Sequence, residues 1–211
     1  DVNVKYDSRV SVRTGPTLSK MARLAITDFS NQNLNDFGAY FKHSFLTRTI
    51  DALDPAITNC LLSVSMQKDL LPTLSVENNY SLDFANPIHH PHSGHMGAIA
   101  STLFNYSVYE NCALFDEDGV LKIYYTNPAG GMTIVSESVG TVDYDTGKVE
   151  LTAFAPNSYA GSALVLTAKP RRDDIISTTN TLLTIRESGV LVTMTDDSSS
   201  ISGTVSTIAS Y

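Results

Sequence analysis

Residues 34–62 read LNDFGAYFKHSFLTRTIDALDPAITNCLL, and the change of rhythm inside that stretch decides the fold class. Leu34, Phe37, Phe41, Phe45, Ile50 and Leu53 advance by steps near three or four, a spacing that gathers them on one helical face, with Asn33 placed to cap the helix and Asp36 three residues on. Asp54-Pro55 ends it, because the residue before a proline avoids helical backbone angles. From Thr58 the period becomes two: Thr58, Cys60, Leu62, Val64 and Met66 alternate with Asn59, Leu61, Ser63 and Ser65, as in a half-buried strand.

Upstream, Val2, Val4 and Tyr6 alternate with Asn3, Lys5 and Asp7 and predict a first strand. Gly15-Pro16 breaks that pattern, and Thr17 is placed to cap a helix whose apolar positions are Leu18, Met21, Ala25, Ile26 and Phe29, interrupted at Asn31-Gln32-Asn33. Residues 1–70 thus read as an α+β unit of strand, two helices and strand. A right-handed crossover between two strands of one sheet is the expected connection, with the aromatic face of the second helix covering that sheet.

Downstream the helical period is absent. Tyr80, Leu82 and Phe84 alternate with Ser81 and Asp83, and Asp118-Gly119 and Asp145-Thr146-Gly147 each sit between apolar runs as hairpin turns do. Strands are also expected over Ala163 to Ala168, Leu182 to Arg186 and Val190 to Thr195. The predicted organisation is α+β: an N-terminal α/β unit over 1–70, a β-rich, hairpin-containing domain over 71–195, and a polar Ser/Thr-rich tail over 196–211, which has too few large apolar residues to pack alone.

Lys and Arg number 14 against 22 Asp and Glu among 211 residues, a net charge of -8, which argues against a nonspecific nucleic-acid binder. Hydrophobic residues make up 42% and mean hydropathy is -0.03, enough for a buried core. No run approaches the ~18 consecutive apolar residues of a membrane span. The chain opens in a strand without an initiator Met, as a piece of a longer protein would. Cys60 and Cys112 are too few for a disulfide framework and form no Cys-x-x-Cys, so two reduced thiols are expected.

His89, His90, His92 and His95 fall in one short segment and invite a metal reading, since imidazole is a common ligand of zinc, copper or nickel. Their spacing matches neither a helical His pair nor a zinc finger, and no carboxylate or Cys lies close in sequence, so a polar Pro/Gly loop is the favoured reading and no metal site is predicted. Asp116-Glu117-Asp118-Gly119 lacks the spacing and later Glu of a calcium loop, and Thr146-Gly147-Lys148 lacks the upstream Gly of a phosphate loop; both read as hairpin turns. His43 lies on the predicted second helix, and neither Cys carries a nucleophile signature. No catalytic residue, cofactor-binding residue or cofactor is assigned.

Four segments resemble the C-terminal part of the baseplate wedge protein of T4-like contractile-tailed phages: Leu34 to Leu62, the Asn86-to-Ala98 loop with its His, Pro and Gly residues, Gly140 to Leu151 (GTVDYDTGKVEL) and Pro170 to Ile185 (PRRDDIISTTNTLLTI). The first is also similar to the broader J-type baseplate family, through Tyr40, Phe45, Leu46, Ile50, Pro55 and Ile57. The resemblance implies a structural virion component without enzymatic activity, assembled in the host cytoplasm, whose partners are itself, as a dimer or ring, and other baseplate wedge proteins, with neither nucleic acid nor membrane among them. The ten Tyr suit interfaces that are apolar in body and polar at the tip. A β-sandwich recognition module for a carbohydrate or cell-surface ligand is the alternative expectation, weakened by the absence of Trp.

Overall fold

The structure, a computed structural model, describes residues 1–92, 97–127, 129–178 and 181–198. The fold is mixed and β-rich. The chain begins with β1 (Val2–Tyr6), α1 (Gly15–Asn33), β2 (Tyr40–Phe41), α2 (His43–Asp51) and β3 (Ile57–Leu62). There follow β4 (Met66–Leu70), β5 (Asn78–Asp83), β6 (Ile99–Ser101), β7 (Phe104–Tyr106), β8 (Tyr109–Glu117), β9 (Val120–Thr126), β10 (Met132–Asp143), β11 (Lys148–Phe154), β12 (Ser158–Tyr159) and β13 (Leu164–Ala168). It closes with β14 (Ile175–Ile176), a 3-10 turn at Glu187–Gly189 and β15 (Val192–Asp196).

These elements form two compact units, the first made of residues 1–63 together with 176–211 and the second of Val64–Ile175. The sequence reading placed 176–195 in the β-rich domain. The structure returns that stretch to the first unit, because β15 lies parallel to β1, with Val2 opposite Val192 and Val4 opposite Met194. No local pattern reports a partner so distant along the chain.

In the first unit β1 is the middle strand of three, in the order β15-β1-β3. The predicted crossover is overturned: β3 runs antiparallel to β1, pairing Val2 with Leu62 and Val4 with Cys60. The period-two pattern does place Val2, Val4, Cys60, Leu62 and Val192 in the core. There α1 packs against β15 and α2 against β3.

α1 starts at Gly15, ahead of the predicted Thr17 cap. Thr14 is the N-cap residue, and Pro16 fits the first turn because its missing N–H has no helical partner there. Leu18, Ala22, Ile26 and Phe29 form its buried stripe. The helix also runs through Asn31-Gln32-Asn33, where Asn33 Nδ2 donates to Phe29 O at 3.0 Å.

The second helix is shorter than its spacing suggests. Gly38 sits at φ 72°, a left-handed conformation that breaks a helix, and Asp36 Oδ1 takes the Phe37 N–H at 2.7 Å. Leu34 is buried as the C-cap residue of α1 and Phe41 from β2, whereas Phe37 is 66% exposed. Of the predicted stripe only Ile50 lies on the buried face of α2, where its companion is Leu46, a residue outside that stripe, while Phe45 is exposed.

The segment after β1 is tied down by carboxylates. Asp7 accepts from Arg9 Nε at 3.0 Å and Nη2 at 2.8 Å, Asp54 accepts from Arg13 Nη1 at 2.6 Å and the Ala56 N–H at 2.9 Å, and Asp196 accepts the Ser8 N–H at 3.3 Å. Hydrogen bonds hold all three carboxyls below the ordinary range: from the Arg9 side chain to Asp7, from the Ala56 N–H and then Arg13 to Asp54, and from Ser8 to Asp196, which is lowered to about 2.

The second unit is built on a sheet in the order β4-β13-β6-β8-β9-β10-β11-β5, with β7 and β12 paired off its path. Leu114, Leu121, Ile123, Val149, Leu151, Leu164 and Leu166 are buried, and the Phe104 and Phe154 rings meet edge to face at 5.4 Å. Both predicted hairpins are present. Asp118 and Gly119 turn β8 into β9 at φ 49° and 81°, as a two-residue turn of the I′ type requires, and Gly147 at φ 80° closes the β10–β11 turn. The expected strand over Leu182 to Arg186 is reduced to one bridge, Leu182 with Phe37, and a 3-10 turn follows at Glu187–Gly189. Beyond Ser198 the polar tail lies outside the described residues. Among the described residues no helix is long and apolar enough to cross a membrane.

Val4 is fully buried and paired on both sides, so V4D places an unpaired charge in the first core, at a cost of about 3–5 kcal/mol. Native-state hydrogen exchange should then show protection lost in β1, β3 and β15 and retained in β8 to β11. Acid should act on the same unit. The depressed carboxyls stabilise it above the unfolded value near 3.8, and that stability is lost as pH falls toward about 2. An acid titration of D196N, followed by far-UV circular dichroism, should show a shallower loss over that window.

Candidate functional site

The histidine segment enters the second unit beside the β10–β11 turn. The His89 N–H donates to Lys169 O at 2.8 Å and the Ile88 N–H to Tyr144 O at 2.8 Å. The exposed His90 ring meets Tyr144 edge to face at 4.5 Å. His92 is exposed, and His95 lies outside the described residues. Among the described residues no three His, Cys, Asp or Glu side chains gather as a metal site would require.

His90, Thr141, Val142, Asp143, Tyr144, Asp145 and Arg171 line an open cup of about 650 Å3. Its walls are fixed by the chain itself. Arg171 Nη2 donates to Asp145 Oδ1 at 2.6 Å and to Tyr144 O at 3.3 Å. Asp143 Oδ1 accepts the N–H groups of Asp145 at 2.9 Å and Thr146 at 3.2 Å. Hydrogen bonds from Thr146 and then from Asp145 keep the Asp143 carboxyl below its usual range. The lining is polar and carries no nucleophile beside a base.

Beneath the cup lies a pair that the sequence reading missed. Asp116, fully buried, accepts the Tyr144 hydroxyl at 2.5 Å on Oδ2 and the Ile99 N–H at 2.6 Å on Oδ1. The Tyr144 oxygen in turn accepts the Gly119 N–H at 2.9 Å. Burial, and then the carboxylate beside it, push the Tyr144 hydroxyl strongly up, so it remains a donor. Gly97 is required here, because a Cβ at that position would stand 1.9 Å from Asp116 Oδ1. A single acidic residue ending the apolar run Ala113-Leu114-Phe115 was the available signal, and it was read only as part of the turn.

Other residues considered for chemistry are occupied structurally. Glu117 pairs with Lys122 at 2.9 Å, and Lys148 pairs with Glu150 at 2.8 Å. His43 opens α2 with Nε2 2.9 Å from Leu62 O. Cys60 and Cys112 are buried free thiols; burial pushes the Cys60 thiol up to about 11 and raises that of Cys112.

In the first unit a different kind of surface is exposed. Phe37 is 66%, Leu182 48% and Phe45 41% exposed. Phe37 and Leu182 are bridged partners, and Phe45 leans on buried Phe29 with ring centres 5.8 Å apart. Arg48 lies over the Phe45 ring at 5.4 Å.

No family model and no curated protein matches the chain.

Y144F should keep the fold and lower the stability of the second unit by about 1–3 kcal/mol, because buried Asp116 and the Gly119 N–H both lose a partner. Urea unfolding of wild type and variant measures the difference.

Proposed function

We propose that this chain is a structural subunit of a contractile-phage tail baseplate wedge, associating with copies of itself as dimers or rings and with other wedge proteins. Its place is the virion baseplate, and it performs no catalysis. The observation that carries the reading is the meeting, within the first unit, of two segments that resemble the wedge family. The Ser177 N–H donates to Ala39 O at 2.9 Å, and Leu182 bridges Phe37, so parts of Leu34 to Leu62 and of Pro170 to Ile185 make one surface. A side-chain inventory given over to packing, turns and ion pairs suits such a scaffold, since assembly depends on fixed complementary surfaces and needs no reactive group.

Mixing the purified chain with the other wedge proteins of a contractile tail, followed by size exclusion with light scattering, tests this. A complex of fixed stoichiometry is expected. Absence of any complex, with the chain itself monomeric at high concentration, would overturn the reading. A reproducible glycan-array hit under those conditions would favour the recognition module instead.

A further inference from the structure

One region of the second unit is built from three segments, 71–80, 102–111 and 153–163, which share a cluster of aromatic rings. The buried Phe154 ring meets Tyr80 at 6.4 Å, Phe104 at 5.4 Å and Tyr106 at 6.3 Å, so each segment contributes to it. Two loops are also tied to one dipeptide. The Ser75 N–H donates to Pro156 O at 2.9 Å, and Asn157 donates from its N–H to Asn105 O at 2.8 Å and from Nδ2 to Ser107 O at 2.6 Å. Ser75 and Ser107 both take left-handed backbone, at φ 57° and 54°, which a serine keeps where its surroundings hold it there.

These fixed loops present apolar side chains to solvent: Leu74 is 47%, Val76 50%, Val108 86% and Tyr109 38% exposed. Such residues scattered singly need no explanation, but four on two loops joined through Pro156-Asn157 make a patch. The three segments contain only two charged residues, Glu77 and Glu110, each exposed and each next in sequence to the patch. Neither is ion-paired among the described residues, whereas Lys122, Lys148 and Arg171 of this unit each hold a carboxylate. An apolar centre free of charge with charge kept to its rim is the composition of a recognition surface.

The rim has one sign, and so does the field behind it, since residues 64–175 hold six Lys and Arg against thirteen Asp and Glu. A second copy would set glutamate against glutamate, and an anionic membrane would meet the same repulsion. An apolar surface edged with Lys or Arg meets neither obstacle.

We infer that the patch of Leu74, Val76, Val108 and Tyr109 docks a different protein, one that offers apolar side chains edged by Lys or Arg, and that Glu77 and Glu110 steer its approach. This rests on the wedge reading, and names the surface that meets another wedge protein and the charge which that protein carries.

Titration calorimetry of the full chain against each purified wedge protein of a contractile tail tests both parts. V76D and V108D change exposed side chains, so they should leave thermal unfolding unchanged and raise the dissociation constant at least about tenfold. V12D, at a residue 93% exposed in the first unit, should bind as wild type does. For wild type the dissociation constant should rise several-fold as the screening length shrinks from about 30 Å at 0.01 M to about 8 Å at 0.15 M ionic strength. E77Q combined with E110Q should bind more weakly than wild type at low salt and lose most of that salt dependence.

A wedge complex indifferent to V76D and V108D would overturn the patch, and one that tightens with salt or ignores E77Q with E110Q would overturn the partner's charge; either result leaves the wedge reading standing. Self-association lost in V108D, or V108-dependent binding to vesicles of phosphatidylcholine and phosphatidylglycerol, would overturn the inference by giving the patch another occupant. If no wedge protein binds, the inference fails, and the wedge reading fails with it where the chain is also monomeric at high concentration.

Discussion

The parallel ladder between β1 and β15 is the constraint on which the first unit depends. Val2 and Val4 face the core from the middle strand, and each has a neighbour on both sides, Leu62 and Cys60 from β3, Val192 and Met194 from β15. Without β15, α1 would lose the strand it packs against, and β1 would present an open edge with buried-type side chains. The core therefore closes only when nearly the whole chain is present, and the closure must offset the entropy of joining residues so far apart. The second unit has no such dependence. Its β4 pairs with β13, Met66 opposite Ala168, so its sheet begins and ends on its own residues.

The second unit solves a different problem, the burial of a carboxylate. Asp116 lies in a run of buried apolar residues, and the Tyr144 hydroxyl and the Ile99 N–H supply its hydrogen bonds. A buried charge held by donors alone is tolerated only when their geometry is fixed. Tyr144 is fixed by the Gly119 N–H on its oxygen and by Ile88 and Arg171 on its carbonyl. Two hairpin turns and the histidine segment are thus positioned from one tyrosine, which makes the cup rigid whether or not anything enters it.

How much of this the sequence discloses depends on the range of the interaction. Period-two alternation in Val2, Val4, Cys60 and Leu62 names the core face correctly, because side-chain direction in a strand is a local property. Asp118-Gly119 and the turn ending at Gly147 are legible for the same reason, since positive φ is a demand on one residue. Helical spacing over Leu34 to Leu53 misleads because Leu34 and Phe41 are buried from separate elements, the end of α1 and β2, and spacing alone does not distinguish that from one helical face. Strand direction and the partnership of β1 with β15 are set by packing across the chain, and no residue pattern near either strand encodes them. Asp116 and Tyr144 are likewise joined only by the fold.

The parallel geometry also determines how the molecule would carry tension. If β1 is pulled from its N-terminal side and β15 from its C-terminal side, the two strands slide past one another along their length. All the rungs from Val2–Val192 to Tyr6–Asp196 then resist together instead of opening one by one. The load passes from β1 to β15 across this ladder, so residues 64–175, spliced between β3 and β14, stay slack. Rupture in that direction is a matter of unfolding rate, set by a short shear-loaded sheet, and the larger domain rides on it without being stretched.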